Sequence, residues 1–215
     1  MNGHNTLFRA DPVWYIRQRA INGVAWFMRD QANQAHQMQA LILNNAKQGA
    51  FDLQGDGQTP QVTLTPVGNV LHDDPPIHAY WCPFIQGNVL PGFVDVPRIN
   101  PPYRFVFTAA MNGCALVVTG SPLGPGMIRI YHNQHPGNQN INQLIHNQGQ
   151  QIVSFITFDD YGDVNQQMPA PNAFNFLYYR NGGWRFVLQP QLFNMFTHNV
   201  ALNPNIQTQI IDATV

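Results

Sequence analysis

Two strand-like runs and the loop between them decide the fold of this chain. Residues 103–135 read YRFVFTAAMNGCALVVTGSPLGPGMIRIYHNQH. Apolar and β-branched residues dominate residues 114–119 and 127–132, whereas Gly and Pro fill the segment that separates them. This pattern predicts two antiparallel strands joined by a loop at residues 120–126.

The spacing within this hairpin predicts which residues face each other. The loop is centred on Leu123, so that Cys114 and His132 lie at equal distances before and after the centre. Opposed residues of an antiparallel pair have Cβ atoms about 4.5–5.5 Å apart. We therefore expect Cys114 directly across from His132, although a bulge in either strand would change this register.

A thiol beside an imidazole is the arrangement that nucleophilic cysteine chemistry needs. A free cysteine, with a pKa of about 8.5, is mostly protonated at neutral pH until a base or cation activates it. Cys114 is accordingly the candidate nucleophile and His132 its candidate general base. The turn at Asn112 and Gly113 leaves the amide of Cys114 free to act as half of an oxyanion hole.

The group that would orient His132 stays open. The candidates are a main-chain carbonyl, Thr108, and a carboxylate of Asp159 or Asp160. A competing interpretation makes Cys114 and His132 packing residues, because a single cysteine on a strand is usually a small buried apolar residue. Cys82 follows aromatic residues and is predicted to belong to the core.

The chain before the hairpin begins with a predicted helix. Asp11 and Pro12 form an N-cap and first-turn proline, and apolar residues then recur at spacings of three and four. We expect helical structure from about residue 11 to residue 44, unless the helix breaks near Gly23 or Arg29. Residues 48–76 are predicted to be loops around one strand at 62–65.

The remainder of the chain is predicted to be rich in strands. Further strands are expected at residues 77–82, 103–111, 151–158, 173–179 and 184–188, and short helices at 138–147 and 191–197. The pattern indicates an α+β fold in one domain spanning 1–215, with a β-rich catalytic core at about 60–215. A mixed or antiparallel sheet flanked by helices, arranged as one sheet system or as a two-sheet sandwich, would form this core.

Composition excludes several classes of function. The net charge is −1 and charged residues make up 10% of the chain, so a basic surface for nucleic acid is not expected. The longest apolar runs fall short of the roughly 20 residues of a membrane span, and no Sec-type signal peptide is visible at the N-terminus. With only two cysteines in the chain, both are predicted to be free thiols. The segment His72-Asp73-Asp74 has no second cluster of ligands at suitable spacing, so a metal is not expected, and no cofactor is expected either.

The segment from Thr108 to Cys114 and the run from Ile128 to His132 resemble the active-site region of bacterial toxin glutamine deamidases, such as the cytotoxic necrotizing factor catalytic domain and Burkholderia lethal factor. The resemblance covers about thirty residues. It implies that Cys114 is the nucleophile, that His132 is the base, and that Thr108 takes the third position of the site.

The resemblance also implies an activity and a setting. The chain would be a secreted bacterial effector acting as a monomer in the host cytoplasm, where it would convert a host-protein glutamine to glutamate without a cofactor. The implied partners are a translation initiation helicase or a Rho-family GTPase. Two alternatives remain: a transglutaminase or cysteine protease that uses the same pair, and a non-catalytic binding domain.

Overall fold

Strands are the predominant regular structure in the described part of the chain. The computed structural model describes residues 3–24, 43–55, 57–67, 73–166 and 169–214. The helices are α1 (His4–Ala10), α2 (Pro12–Gln18), α3 (Gln139–Gln148) and α4 (Phe158–Tyr161). The strands are β1 (Ala20–Asn22), β2 (Gln48–Gly55), β3 (Gln61–Val67), β4 (Ile77–Cys82), β5 (Gly92–Pro97), β6 (Phe105–Thr108), β7 (Ala115–Gly120), β8 (Met127–Asn133), β9 (Ile152–Ile156), β10 (Ala170–Arg180), β11 (Gly183–Phe193), β12 (Val200–Leu202) and β13 (Gln209–Asp212).

The larger of two sheets curls toward a barrel. Its strand order is β1-β3-β2-β4-β6-β10-β11-β12, and β13 also pairs with β11. The pairs β1–β3 and β4–β6 are parallel, and the others are antiparallel. Side chains join its two ends: Asn22 Nδ2 donates to the carbonyl of His198 at 2.9 Å, and the amide of Val200 donates to Gln61 Oε1 at 2.6 Å.

The smaller sheet is antiparallel and packs on one face of the larger one. Its order is β5-β8-β7-β9. Leu116, Val118 and Ile130 of this sheet share a buried cluster with Leu177 and Phe186 of the larger sheet. Of the two arrangements that the sequence left open, two packed sheets are present, but one of them is curved and strands far outweigh helices, so the fold is mostly β.

The long hairpin of β10 and β11 is buried on both faces over most of its length, and apolar residues predominate in its sequence. Alternate residues such as Leu177 and Tyr179 face the smaller sheet, whereas Phe174 and Phe176 point into the curled interior. The two strands are joined at Asn181 and Gly182, which both have positive φ, as a two-residue type I′ turn requires.

Helices α1 and α2 fill the interior of the curled sheet. Phe8, Tyr15 and Ile16 are at most 1% exposed and pack among its aromatic residues. Asp11 caps α2 as predicted, because its side chain accepts the amide of Trp14 at 2.9 Å. Gln189 of β11 fastens the end of this segment, since its Nε2 donates to the carbonyls of Ile16 and Arg19.

The predicted long N-terminal helix is wrong in its extent. Helix α2 ends at Gln18, and Ala20–Asn22 instead form β1, which is buried and pairs with β3. The helical spacing of Val13 and Ile16 continues to Ala20 in β1. All three residues of β1 are buried, and such a short buried segment agrees with a helical period as well as with a strand period. Residues 25–42 of the predicted helix lie outside the described residues. A helical turn follows at residues 43–46.

Several strands match their predictions and others do not. Strand β4 begins and ends where expected, and α3 begins one residue after the predicted start, with Asn138 as its N-cap. The short helix expected at 191–197 is wrong, because Gln191 to Phe193 continue β11 and Asn194 turns the chain by accepting the amides of Phe196 and Thr197. Strands β2 and β5 were not expected.

No helix in the described ranges is long and apolar enough to cross a membrane.

Candidate functional site

His132 lies on β8 at the buried junction of the two sheets. Its Nδ1 is 2.6 Å from Thr108 Oγ1, and Thr108 donates its only hydroxyl proton to the carbonyl of Cys82 at 2.7 Å. Because that proton is used, Nδ1 of His132 must carry a hydrogen and donate to Thr108. The structure thus brings Thr108 and His132 together from different sheets, and not through a turn at residues 112–113.

The other ring nitrogen of His132 has no partner. Nε2 is buried and makes no hydrogen bond to any described residue, and the ring of Phe84 lies edge-on at 5.1 Å between centroids. Burial lowers the pKa of His132 to about 3, because the charged imidazolium would lose its hydration. His132 is therefore neutral at physiological pH, and its pKa lies far below the value near 7 that suits a general base.

The hairpin spacing predicted that Cys114 lies directly across from His132. This prediction is wrong. Leu116 pairs with His132 and Ala115 with Asn133, so Cys114 sits just before the first paired residue of β7. The loop is centred one residue later than Leu123, at Gly124, which has a φ of +125°. A shift by an even number of residues keeps Cys114 on the same buried face, as expected.

The Cys114 thiol lies in the core, where burial favours its protonated form. It is 8% exposed, and its main-chain carbonyl accepts the hydroxyl of Tyr161 at 2.7 Å. Burial raises the pKa of the Cys114 thiol to about 11, although a main-chain hydrogen bond from Asn112 opposes the shift. Since Nε2 of His132 has no partner in the described chain, no hydrogen bond joins it to Cys114 Sγ.

The other candidate residues have local roles. Asn112 and Gly113 are exposed, and Gly113 has a φ of +83°. The Asp160 carboxylate accepts the amide of Thr157 at 2.7 Å and so caps α4, which gives this orienter candidate a structural task. Cys82 is fully buried as predicted, and burial raises its pKa to about 12.

The segment His72-Asp73-Asp74 was considered as a metal site, and its two described residues have different surroundings. The Asp74 carboxylate accepts the amides of Asn5 and Thr6 at 2.8 and 3.0 Å, and it thereby fixes the start of α1. Asp73 is exposed, and His72 lies outside the described residues.

A groove between α1, α2 and the β2–β3 loop is a feature that the sequence reasoning missed. It has a volume of about 510 Å³, and its lining includes Leu7, Trp14, Arg19 and Pro60. Trp14 is 51% exposed and Leu7 is 47% exposed. Trp14 was a usable signal in the sequence, because it falls outside the helical stripe formed by Val13 and Ile16.

A second exposed apolar feature lies at the loop between β11 and β12. Phe196 is 87% exposed and Met195 is 57% exposed. The loop is held by hydrogen bonds of Asn194 with the main chain of Asn199 and His198. Exposed aromatic residues on ordered loops occur often at protein interfaces.

Apolar side chains pack closely around Cys114 and His132, and other apolar side chains, such as Trp14 and Phe196, are exposed. The family model for the Mcf1 activator-binding domain matches residues 7–215, and the chain belongs to that family. No curated protein matches the chain.

This match overturns the resemblance to toxin glutamine deamidases, which rested on about thirty residues against a match over nearly the whole chain. The predicted deamidase function falls with it, together with the description as a toxin hydrolase. The motif misled because a Gly before a strand and a His late in the next strand also occur in a buried hairpin. The predicted register that joined Cys114 to His132 supplied the rest of the error.

Proposed function

We propose that this chain is a protein-binding domain that recognises an activator protein, the role that the description of its family states. The match over residues 7–215 is the observation that carries the proposal. The non-catalytic alternative drawn from the sequence is the one that agrees with it. In this account Cys114, His132 and Thr108 contribute to the packing between the sheets.

The geometry of the junction supports a structural role for these residues. A nucleophilic cysteine needs a lowered pKa and access to substrate, whereas Cys114 has a raised pKa and is almost fully buried. His132 is buried completely. The catalytic roles expected of the three residues stay predictions that no observation here supports.

The partner is a protein, and its identity goes beyond the family description. The expected host helicase and Rho-family GTPase came from the deamidase resemblance, which no longer supports them. They are useful as comparison proteins in a binding experiment. Action of the domain in a host cytoplasm, and its monomeric state, likewise stay predictions.

The test is a calorimetric titration of the domain with the activator recognised by the Mcf1 domain. We expect saturable binding with one activator per domain, and equal affinity, within about twofold, for the Cys114→Ser variant. A Rho-family GTPase and a translation initiation helicase are titrated in parallel. Absence of saturation by the activator at about 100 μM, or loss of binding in a folded Cys114→Ser variant, would contradict the proposal.

A further inference from the structure

We infer that the groove between α1, α2 and the β2–β3 loop is the surface on which the activator docks. The inference rests on the proposed function and assigns it a place on the molecule. The occupant is a segment of the activator that inserts an apolar side chain beside Trp14 and carries carboxylates around it.

The residue types at this groove are those that supply binding energy at protein interfaces. Trp, Tyr and Arg are enriched among residues whose truncation costs most affinity. The groove combines Trp14 and Tyr15 with Arg19, and Leu7 adds an exposed aliphatic side chain. Phe196 is more exposed, but it lies on the loop between β11 and β12 and is not among the residues that line the groove.

Hydrogen bonds connect the elements that form the groove. Arg19 donates to the carbonyl of Thr59 at 3.3 Å, and the amide of Ala20 donates to the carbonyl of Pro60 at 3.2 Å. On the opposite side, a hydrogen bond of 2.8 Å joins Tyr15 Oη to His4 Nδ1. These bonds connect the β2–β3 loop to the end of α2, and α1 to Tyr15 of α2. A groove whose walls are already connected loses little conformational entropy on binding.

The charge around the groove favours an acidic partner. Residues 3–24 contain Arg9, Arg17 and Arg19 against Asp11 alone, a net charge of +2 (3 − 1), in a chain of net charge −1. The described lining includes Arg19 and no carboxylate. Positive surfaces attract acidic partners and select against basic ones.

The carboxylates behind α1 do not cancel this charge at the surface. The side chain of Asp74 is held by Asn5 and Thr6, and Asp52 accepts Asn5 Nδ2 at 2.6 Å. Both residues are at most 9% exposed. Of the charged side chains in residues 3–24, Asp11, Arg9 and Arg17 are exposed and Arg19, which lines the groove, is partly exposed, so the accessible net charge stays positive.

The experiment compares the affinity of the activator for wild type, Trp14→Ala, Leu7→Ala and the matched control Phe196→Ala. We expect Trp14→Ala to weaken binding by at least about tenfold and Leu7→Ala by several-fold, whereas Phe196→Ala stays within about twofold of wild type. Both groove variants should fold, because Trp14 and Leu7 are half exposed and the bond from Trp14 to Asp11 uses the main-chain amide. Melting curves check this.

The outcomes separate the docking surface from the function. If wild type binds the activator and folded Trp14→Ala binds equally well, the inference is overturned while the proposed function stands. If wild type does not bind, the proposed function itself fails. Raising NaCl from 0.05 to 0.5 M should weaken binding several-fold, and unchanged affinity would overturn the acidic chemistry. Self-association of wild type that Trp14→Ala abolishes would assign the groove to a second copy and also overturn the inference.

Discussion

The hydrogen bond between His132 and Thr108 shows how a polar pair can belong to a core. The Thr108 hydroxyl donates a hydrogen bond to the carbonyl of Cys82, and His132 Nδ1 in turn donates to Thr108 Oγ1. The bonds satisfy one side of the imidazole and leave Nε2 without a described partner. A buried group with such an unpaired atom is costly, and burial favours the neutral form of His132 over the charged one.

The depressed pKa of His132 makes the domain less stable in acid. The unfolded chain binds a proton at this residue near pH 6.5, whereas the folded chain does so only near pH 3. The folded state therefore loses stability as the pH falls below about 6.5, at about 1.4 kcal/mol per pH unit. Between pH 6.5 and pH 5 we expect a loss of about 2 kcal/mol from this residue.

Urea unfolding at pH 5, 6.5 and 8 measures this effect. His132→Asn keeps a donor near Thr108 but does not titrate, so its stability should fall less between pH 6.5 and pH 5. His135→Asn replaces an exposed histidine and should retain the wild-type profile. Equal pH profiles for wild type and His132→Asn would show that His132 is not held neutral by burial.

At the residue scale, the sequence located the candidate residues but not their relation. Thr108, Cys114 and His132 were selected from residue types and spacing, and all three are buried near the junction of the two sheets. The assumed loop centre was displaced by one residue, which moved Cys114 out of register with His132. No sequence pattern reports the burial that sets the pKa of either group.

The β10–β11 hairpin is the element on which most of the fold is assembled. It pairs with β6 on one side and with β12 and β13 on the other, and its residues contribute to two buried clusters. Its two-residue turn was predictable from Asn181-Gly182, since type I′ turns favour this dipeptide. Both strands are longer than the sequence predicted: they span residues 170–180 and 183–193, whereas residues 173–179 and 184–188 were expected.

Replacement of Gly182 tests the turn. Gly182 has a φ of +83°, and a Cβ at this position would meet no atom within 4 Å, so the cost of Gly182→Ala comes from the backbone alone. We expect a loss of about 1 kcal/mol in the free energy of unfolding, measured in urea. Gly137 also faces open space, but its φ lies outside the left-handed range, and Gly137→Ala is the matched control. Equal effects in both variants would contradict the role of the turn.

Elements were predicted best where burial and turn chemistry agree. Strand β4 and helix α3 have clear patterns and caps. Strand β2, with the sequence QGAFDLQG, contains two Gly residues and polar side chains, and it forms because β3 and β4 pair with it on both sides. Strand β1 lies within an apparently helical pattern and is fixed by Gln189, which is distant in sequence. Such tertiary effects override local propensity.

At the scale of the whole molecule, the layers place the polar pair inside and the binding features outside. The helices α1 and α2 fill the curled sheet, the smaller sheet covers its other face, and α3 packs on the outer face of the smaller sheet through Ile141 and Ile145. His132, Thr108 and Cys114 lie between the two sheets. Leu7 and Trp14 lie on the solvent side of the helices, where a partner can reach them.

The sequence left open one sheet system or two packed sheets, and it did not predict the curvature of the larger sheet. Closure depends on side chains such as Asn22 and Gln61, which connect strands far apart in the order of the sheet. It likewise could not show which apolar residues remain exposed, because this depends on how α1 and α2 enter the interior. The function inferred from a local motif consequently gave way to the match over the complete domain.

The most direct test of a structural rather than catalytic Cys114 is its rate of alkylation by iodoacetamide at pH 7.5. The measurement uses a Cys82→Ala variant and compares native with urea-unfolded chain. Because burial raises the pKa of Cys114 to about 11 and shields the sulfur, the native thiol should react slowly. From the lower thiolate fraction, offset by greater intrinsic nucleophilicity, we expect a rate at least about 15-fold below that of the unfolded chain, and shielding of the sulfur lowers it further. A native rate above that of the unfolded chain would reveal an activated nucleophile and contradict the account.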